Sequence, residues 1–361
     1  MSYPAHGANA EALYNSLHIE IPKNIIDLSE NVNALGQPQA VKALWPALLS
    51  SLGKYPNEQV EPFRSKIAEY HQVAPDYIAV GNGAAECLMV LARHFQQSRA
   101  IVLEPSFSEY KRTLQQEGVA VHSLLVDDIQ TYTIPVEYVK QAMEQADILY
   151  ICNPNNPTGV LTKKAIIEEL LQYGQQVDCT IVVDEAFIDW TDEEESVVSL
   201  VSTYDNLIVL RSMTKMYALA GVRLGYMISQ QAPKFVQAFP HWNVSEIAIQ
   251  LGCACIDAHD FVEKSRKTSD AMRESMKEFL MAYHCRVSNS VANFLLFSLP
   301  EHIDAESFFM AMLKQEIVLR HTKNYVGLEG QWFRIGMKQS EAMDQFKRAL
   351  TDYVGAPYIL S

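Results

Sequence analysis

Positive charge, cysteine pairs and long apolar runs are all scarce in this chain, and each shortage removes a class of protein. Lys and Arg together number 29 against 43 Asp and Glu, a formal net charge of −14. That excess argues against a nucleic-acid or anionic-membrane partner, because both are themselves negatively charged. No apolar run reaches the roughly 18 residues that a bilayer requires, so no membrane span is expected. The six cysteines (Cys87, Cys152, Cys179, Cys253, Cys255 and Cys285) show no C-x-x-C spacing. Buried reduced thiols account for them better than disulfides or a zinc site, and no metal is expected. The start, Met1-Ser2-Tyr3-Pro4-Ala5-His6, lacks the basic and apolar regions of a secretory signal. A soluble cytoplasmic protein is the expectation. Internal repeats, low-complexity tracts and flexible linkers are also missing.

What is present is an ordinary globular composition, 361 residues with 48% hydrophobic and 20% charged. That length supports a large core and two domains. Short apolar runs at Tyr77–Val80, Ala100–Leu103, Val119–Leu125, Ile148–Cys152, Thr180–Val183, Leu207–Leu210 and Leu224–Ile228 read as strands. Helical patterns at Glu109–Gln116, Val136–Gln145 and Lys163–Gln176 lie between several of them. This alternation predicts an α/β domain whose largely parallel sheet is covered on both faces. After Trp242 the pattern changes: one or two long helices, then strands and helices of a smaller α+β domain. The expected division is an N-terminal arm over residues 1–40, a large domain over 41–244 and a small domain over 245–361.

Ligands of such sheets bind beyond the carboxyl ends of the strands. There the chain carries polar groups in a particular order: Gly81-Asn82-Gly83-Ala84, Asn153-Pro154-Asn155-Asn156-Pro157-Thr158-Gly159, Asp184-Glu185-Ala186-Phe187, and Ser212-Met213-Thr214-Lys215 with Arg223 eight residues on. Glycines opening a helix bind phosphate through backbone N–H groups. A lysine just past a buried strand loses its proton on desolvation and becomes a nucleophile. With a hydroxyl and a guanidinium around it to hold a phosphate, that lysine meets the needs of pyridoxal 5′-phosphate (PLP). Asp184 would keep the pyridine nitrogen protonated, Asn156 would bond the ring oxygen, and Phe107 would stack on the ring. Taken singly, each has a plainer reading: Lys215 a surface lysine, Asp184 a helix cap, Asn156 a turn residue between prolines, Phe107 core. The glycine turn also nearly matches a dinucleotide fingerprint, with Glu104 where a ribose ligand would sit. Glu86 in place of its third glycine leaves a nicotinamide-dependent dehydrogenase as the distant alternative.

In this order the motifs N-P-x-x-P-T-G, D-E-A-[FY] and S-x-x-K…R resemble the fold-type I PLP enzymes, the aspartate aminotransferase superfamily, over nearly the whole chain. The resemblance implies a Schiff base on Lys215, with Asp184 on the ring nitrogen and Asn156 on the ring oxygen. It also implies phosphate contacts from Gly83, Ala84, Ser212 and Arg223, and a homodimer in which Tyr55 reaches the neighbouring subunit's cofactor. Arg334 matches the arginine that binds the substrate carboxylate. Two branches compete. Histidinol-phosphate aminotransferases share the length and the Tyr-Pro motif but usually have tyrosine where this chain has Phe187. Threonine-phosphate decarboxylases of cobalamin biosynthesis resemble it more, through His6-Gly7-Ala8-Asn9, the Asp27–Gly36 stretch, Asp184–Asp189, and Arg320 followed by Asn324-Tyr325-Val326-Gly327-Leu328. His6, Asn31, Arg320 and Arg334 are the expected substrate contacts. A PLP-bound regulator of the same fold is the alternative outside enzymology; no DNA-binding segment accompanies it here.

Overall fold

The computed structural model describes residues 3–355. Residues 1–2 and 356–361, the ends of the expected arm and small domain, lie outside the described residues. The strands in chain order are β1 (Ile26–Asp27), β2 (Ile78–Gly81), β3 (Arg99–Glu104), β4 (Ala120–Leu125), β5 (Ile148–Cys152), β6 (Thr180–Asp184), β7 (Leu207–Ser212), β8 (Gly225–Ile228), β9 (Arg286–Val287), β10 (Phe294–Ser298), β11 (Ile317–Val318), β12 (Arg320–His321) and β13 (Phe333–Gly336). Seven of them form one sheet in the order β2-β8-β7-β6-β5-β3-β4, parallel except for β8.

The continuous apolar runs of β5 and β6 follow from burial on both faces. Residues on these strands alternate between two cores, as the two-residue period demands. Ile101, Leu149, Ile151, Ile181 and Val183 join one core, while Val102, Tyr150, Val182 and Ile208 join the other. In-register pairing then lines up the strand ends: Cys152 opposite Asp184 and Asp184 opposite Leu210. At the antiparallel strand, Gly225 pairs with Ser212 on one side and Gly81 on the other.

The small domain is a four-stranded antiparallel sheet, β12-β13-β10-β9, with a core built on Phe297, Phe308, Phe309, Phe333 and Phe346. The arm belongs to it. Leu13 and Tyr14 of the helix Ala10–Ser16 enter that core, and β1 pairs in parallel with β11. One expectation shifts. The helix Glu246–Ile256, read as opening the small domain at residue 245, places Ala248, Ile249, Leu251 and Cys255 in the large-domain core. Its apolar residues surround the whole helix, so its pattern does not reveal which core it serves. The small-domain core takes over from Met272 and Met276, well inside the next helix, His259–Ala282.

The helix Ala84–His94 starts against β8. A Cβ on Gly225 would lie 2.3 Å from the Ala84 nitrogen, closer than any atom pair tolerates. Gly225→Ala is therefore expected to cost about 1–3 kcal/mol by forcing the helix start away from the sheet, measured by chemical denaturation of the cofactor-free protein.

Candidate active site

Asp184 ends β6, buried, with both carboxylate oxygens engaged. Oδ2 accepts from the Tyr110 hydroxyl at 2.6 Å and Oδ1 from the Ala186 backbone N–H at 3.0 Å. Burial pushes this carboxyl above its ordinary value, while those two hydrogen bonds and Lys215 pull it back. Tyr110 is itself fixed by stacking on Tyr150, with ring centroids 5.3 Å apart. A buried carboxylate of this kind is suited to a cationic ring nitrogen.

Lys215 follows β7 on a turn held from outside. The Asn33 backbone N–H donates to the Lys215 carbonyl at 3.2 Å, and Asn33 Nδ2 donates to the Met216 carbonyl at 2.8 Å. The Lys215 amine sits 5.7 Å from the centre of the Phe187 ring. Its pKa is lowered to about 8, first by desolvation and then by the nearby Arg334 and Arg223 guanidinium groups, against the opposing pull of Asp184.

Beside it the expected phosphate ligands do converge. Gly83 precedes the helix Ala84–His94 with φ +75°, and a Cβ there would meet the Arg223 guanidinium at 2.8 Å. Arg223 itself adopts φ 60°. Ser212 joins through the Ser212–Gly225–Gly81 row. N–H groups at a helix start, a hydroxyl and a guanidinium together form a fit cradle for a phosphate dianion.

Asn156 and Arg334 meet on the other side of the site. Arg334 Nη1 donates to Asn156 Oδ1 at 2.6 Å, and Nη2 to the Ser29 carbonyl at 2.7 Å. Nε of Arg334 has no partner among the described residues, and burial lowers the guanidinium pKa to about 10. Because Asn156 Oδ1 is occupied as an acceptor, its amide N–H₂ is the end left to face a ring oxygen. Phe107 is half-buried at the cleft, its ring 5.7 Å from that of His6.

The remaining predicted residues are placed less simply. Arg320 Nη2 donates to the Ala5 carbonyl at 2.7 Å and to Asn324 Oδ1 at 2.8 Å, while Nη1 reaches the His321 carbonyl at 2.9 Å. It thus clamps the arm beside the cleft. Asn31 is buried; its carbonyl accepts from Asn293, and its Oδ1 has no partner among the described residues. Tyr55 is 81% exposed and lies beside Trp242. Glu104 turns its carboxylate to the Ser106 N–H at 2.8 Å, engaged in its own turn rather than open to a ribose. Tyr110, Asn33 and Glu109 were not anticipated. Tyr110 lies in the first turn of the helix Glu109–Gln116, just past Phe107, and the two rings meet edge to face with centroids 5.7 Å apart. Among the described residues no group of His, Cys, Asp and Glu is placed to hold a metal ion, and no helix is long and apolar enough to cross a membrane.

A doubly covered, mostly parallel sheet with a lysine, an aspartate and a phosphate cradle at its carboxyl edge defines an aspartate-aminotransferase-like PLP enzyme. The model of the aminotransferase class I and II family matches residues 23–350, and the chain belongs to that PLP-dependent family. It is 28% identical to a threonine-phosphate decarboxylase from Salmonella typhimurium, over 96% of this chain and 95% of the relative. It is 30% identical to a histidinol-phosphate aminotransferase from Halalkalibacterium halodurans, over 91% of this chain and 89% of the relative. The crystal structure of the histidinol-phosphate aminotransferase from Clostridium acetobutylicum superposes with a TM-score of 0.85 at 29% identity, covering 91% of this chain and 98% of that one.

A lysine amine reacts only when neutral, so its reactivity rises as pH passes through its pKa. In the cofactor-free protein, amine-specific labelling of Lys215 should reach half its maximal rate near pH 8, while exposed lysines should do so only near pH 10 to 11, about their unperturbed value. Peptide-resolved mass spectrometry across a pH series checks this; a Lys215 midpoint with the exposed group would show that the amine is not desolvated.

Proposed function

We propose that the chain is a PLP-dependent decarboxylase of L-threonine O-3-phosphate, or a close phospho-amino acid, releasing CO2 and aminopropanol phosphate for cobalamin biosynthesis. The observation that carries this reading is the docking of the arm. Its Ala5 carbonyl rests on Arg320, and His6 stands beside Phe107. A guanidinium on the Ala5 carbonyl and an imidazole on the next residue, both at the mouth of the pocket, suit a substrate with a phosphate on a short side chain.

In this reading Lys215 carries the cofactor, Asp184 holds its ring nitrogen, Asn156 its ring oxygen and Phe107 its face. Gly83, Ala84, Ser212 and Arg223 hold its phosphate. When bound, PLP supplies an electron sink for the pair left at Cα after a bond to that carbon breaks. The chain decides which bond that is, because only the one perpendicular to the ring plane overlaps with it. Arg334, fixed through Asn156 and Ser29, receives the carboxylate; His6, Asn31 and Arg320 anchor the phosphate end. Held at both ends, the substrate presents its Cα–carboxylate bond for cleavage. Loss of CO2 would leave an electron pair at Cα, and Lys215, freed as an ammonium once the substrate amine has taken its place, would supply the proton there. Tyr55 serves the site of a partner subunit in a homodimer. The exposed Trp45, Leu49 and Leu52 that precede it provide apolar surface for such a contact.

A histidinol-phosphate aminotransferase is the second reading, favoured by the comparable likeness to enzymes of that name. It needs the same phosphate anchor but aligns Cα–H. Loading the protein with PLP and supplying L-threonine O-3-phosphate, with and without 2-oxoglutarate, separates the two. CO2 without any need for the oxo acid is the expected result. Glutamate without CO2, with histidinol phosphate as the better donor, would assign the aminotransferase instead. In the decarboxylase reading Arg334→Ala should lower kcat/KM for L-threonine O-3-phosphate about 10- to 100-fold, the worth of a charged hydrogen-bonded contact.

A further inference from the structure

His6 stands where three parts of the molecule meet. The residues before it are fastened to the small domain. The Tyr3 ring lies 4.7 Å from the His321 ring with the Lys323 ammonium 4.3 Å over its face, and the Ala5 carbonyl accepts from Arg320 at 2.7 Å and Asn324 at 2.9 Å. The residues after it are fastened to the stretch beneath Arg334. Gly7 lies so close to Ser29 that a Cβ would come within 2.5 Å of the Ser29 carbonyl oxygen, and the Ala8 N–H donates to Ser29 Oγ at 2.9 Å. Between these two anchors His6 reaches across to the large domain, its Nε2 2.8 Å from Glu109 Oε1.

Glu109 opens the helix Glu109–Gln116, and its side chain is only 10% exposed, against 39% for His6. Arg112 grips the same carboxylate through Nε, at 2.8 and 2.9 Å, and through Nη2. Burial pushes the Glu109 carboxyl up, but Arg112 and His6 together more than offset it and hold it below the usual carboxylate range. The carboxylate is therefore a fixed acceptor on one nitrogen of the imidazole, leaving Nδ1 for a ligand. A phosphate oxygen is also an acceptor. A ring between two acceptors must carry a proton on both nitrogens, which makes it a cation next to Arg320.

We propose that Glu109 is the positioning residue of the substrate-phosphate subsite, holding His6 by Nε2 across the cleft so that Nδ1–H meets the phosphate beside Arg320. This rests on the reading that the substrate is phosphorylated. It gives Glu109 a role in recognition that a helix-surface ion pair with Arg112 would not have.

The test uses PLP-loaded wild type, Glu109→Gln, Glu109→Asp, His6→Ala and the double variant His6→Ala/Glu109→Gln. Inorganic phosphate serves as competitive inhibitor, and L-threonine as a ligand without phosphate whose binding is read from the cofactor absorbance. Glu109→Gln should weaken phosphate inhibition and raise KM for L-threonine O-3-phosphate about ten-fold, with the cofactor absorbance and the affinity for L-threonine nearly unchanged. Glu109→Asp should recover part of the loss. The double variant should be no worse than His6→Ala, because Glu109 acts through His6. Wild-type behaviour of Glu109→Gln, an equal loss toward L-threonine, or additive losses in the double variant would each overturn the proposal while leaving the phosphorylated-substrate reading intact. Indifference of the wild type to phosphate would overturn that reading and the proposal with it.

Discussion

Buried backbone groups must find hydrogen-bond partners, and in this molecule one stretch of chain meets that demand by tying the small domain, Arg334 and the lysine turn together. Leu28 donates its N–H to Val318 and accepts from Gly336, holding the stretch to the small domain. One residue on, the Ser29 carbonyl takes a guanidinium N–H of Arg334. Asn31 then accepts from Asn293, and Asn33 closes the run on the carbonyls of Lys215 and Met216. The space is tight: a Cβ on Gly336 would fall 2.0 Å from the Glu30 carbonyl oxygen. A shift of the small domain is thus transmitted through a few backbone contacts to the lysine turn. Domain geometry and lysine placement are one constraint rather than two.

The electrostatics of the site follow from the same crowding. Lys215 lies among two guanidinium groups, Arg334 and Arg223, and two carboxylates, Asp184 and Glu30, and desolvation is the largest influence that lowers its pKa. Asp184 is under the opposite pressure, pushed toward its neutral form by burial and steadied by Tyr110 and Ala186. The shift of Lys215 gives an amine that releases its proton readily, whereas Asp184 keeps its charge against burial through its hydrogen bonds and would gain from a cation beside it. Perturbed pairs of this kind cluster where chemistry is done.

The layout of the large domain was legible because its signals are local. The runs Ile148–Cys152 and Lys163–Gln176 match the observed elements to within a residue, since burial on both faces and a helical stripe are written in neighbouring positions. The polar groups at the strand ends were legible for the same reason. What escaped notice depends on pairs far apart in the chain. Tyr110 meets Asp184 across 74 positions, Asn33 meets Met216 across 183 and His6 meets Glu109 across 103. No periodicity records such a meeting. The helix Glu246–Ile256 was assigned to the other domain because an all-round apolar helix fits either core.

This division between near and distant contacts bears on the choice of reaction. The apparatus that would hold PLP is built from strand ends of one sheet and is common to both branches that the chain resembles. The groups that would distinguish a short phospho-amino acid from histidinol phosphate come from elsewhere: the arm at His6, the small domain at Arg320 and Arg334, and the large-domain helix at Glu109. They meet only when the arm is docked with the domains in this arrangement. The placement of His6 would bear on how the substrate sits about Cα, while the groups at the strand ends stay where the sheet holds them. Reaction specificity in such a design can drift while fold and cofactor stay fixed, which explains why overall similarity identifies the family well and the reaction poorly.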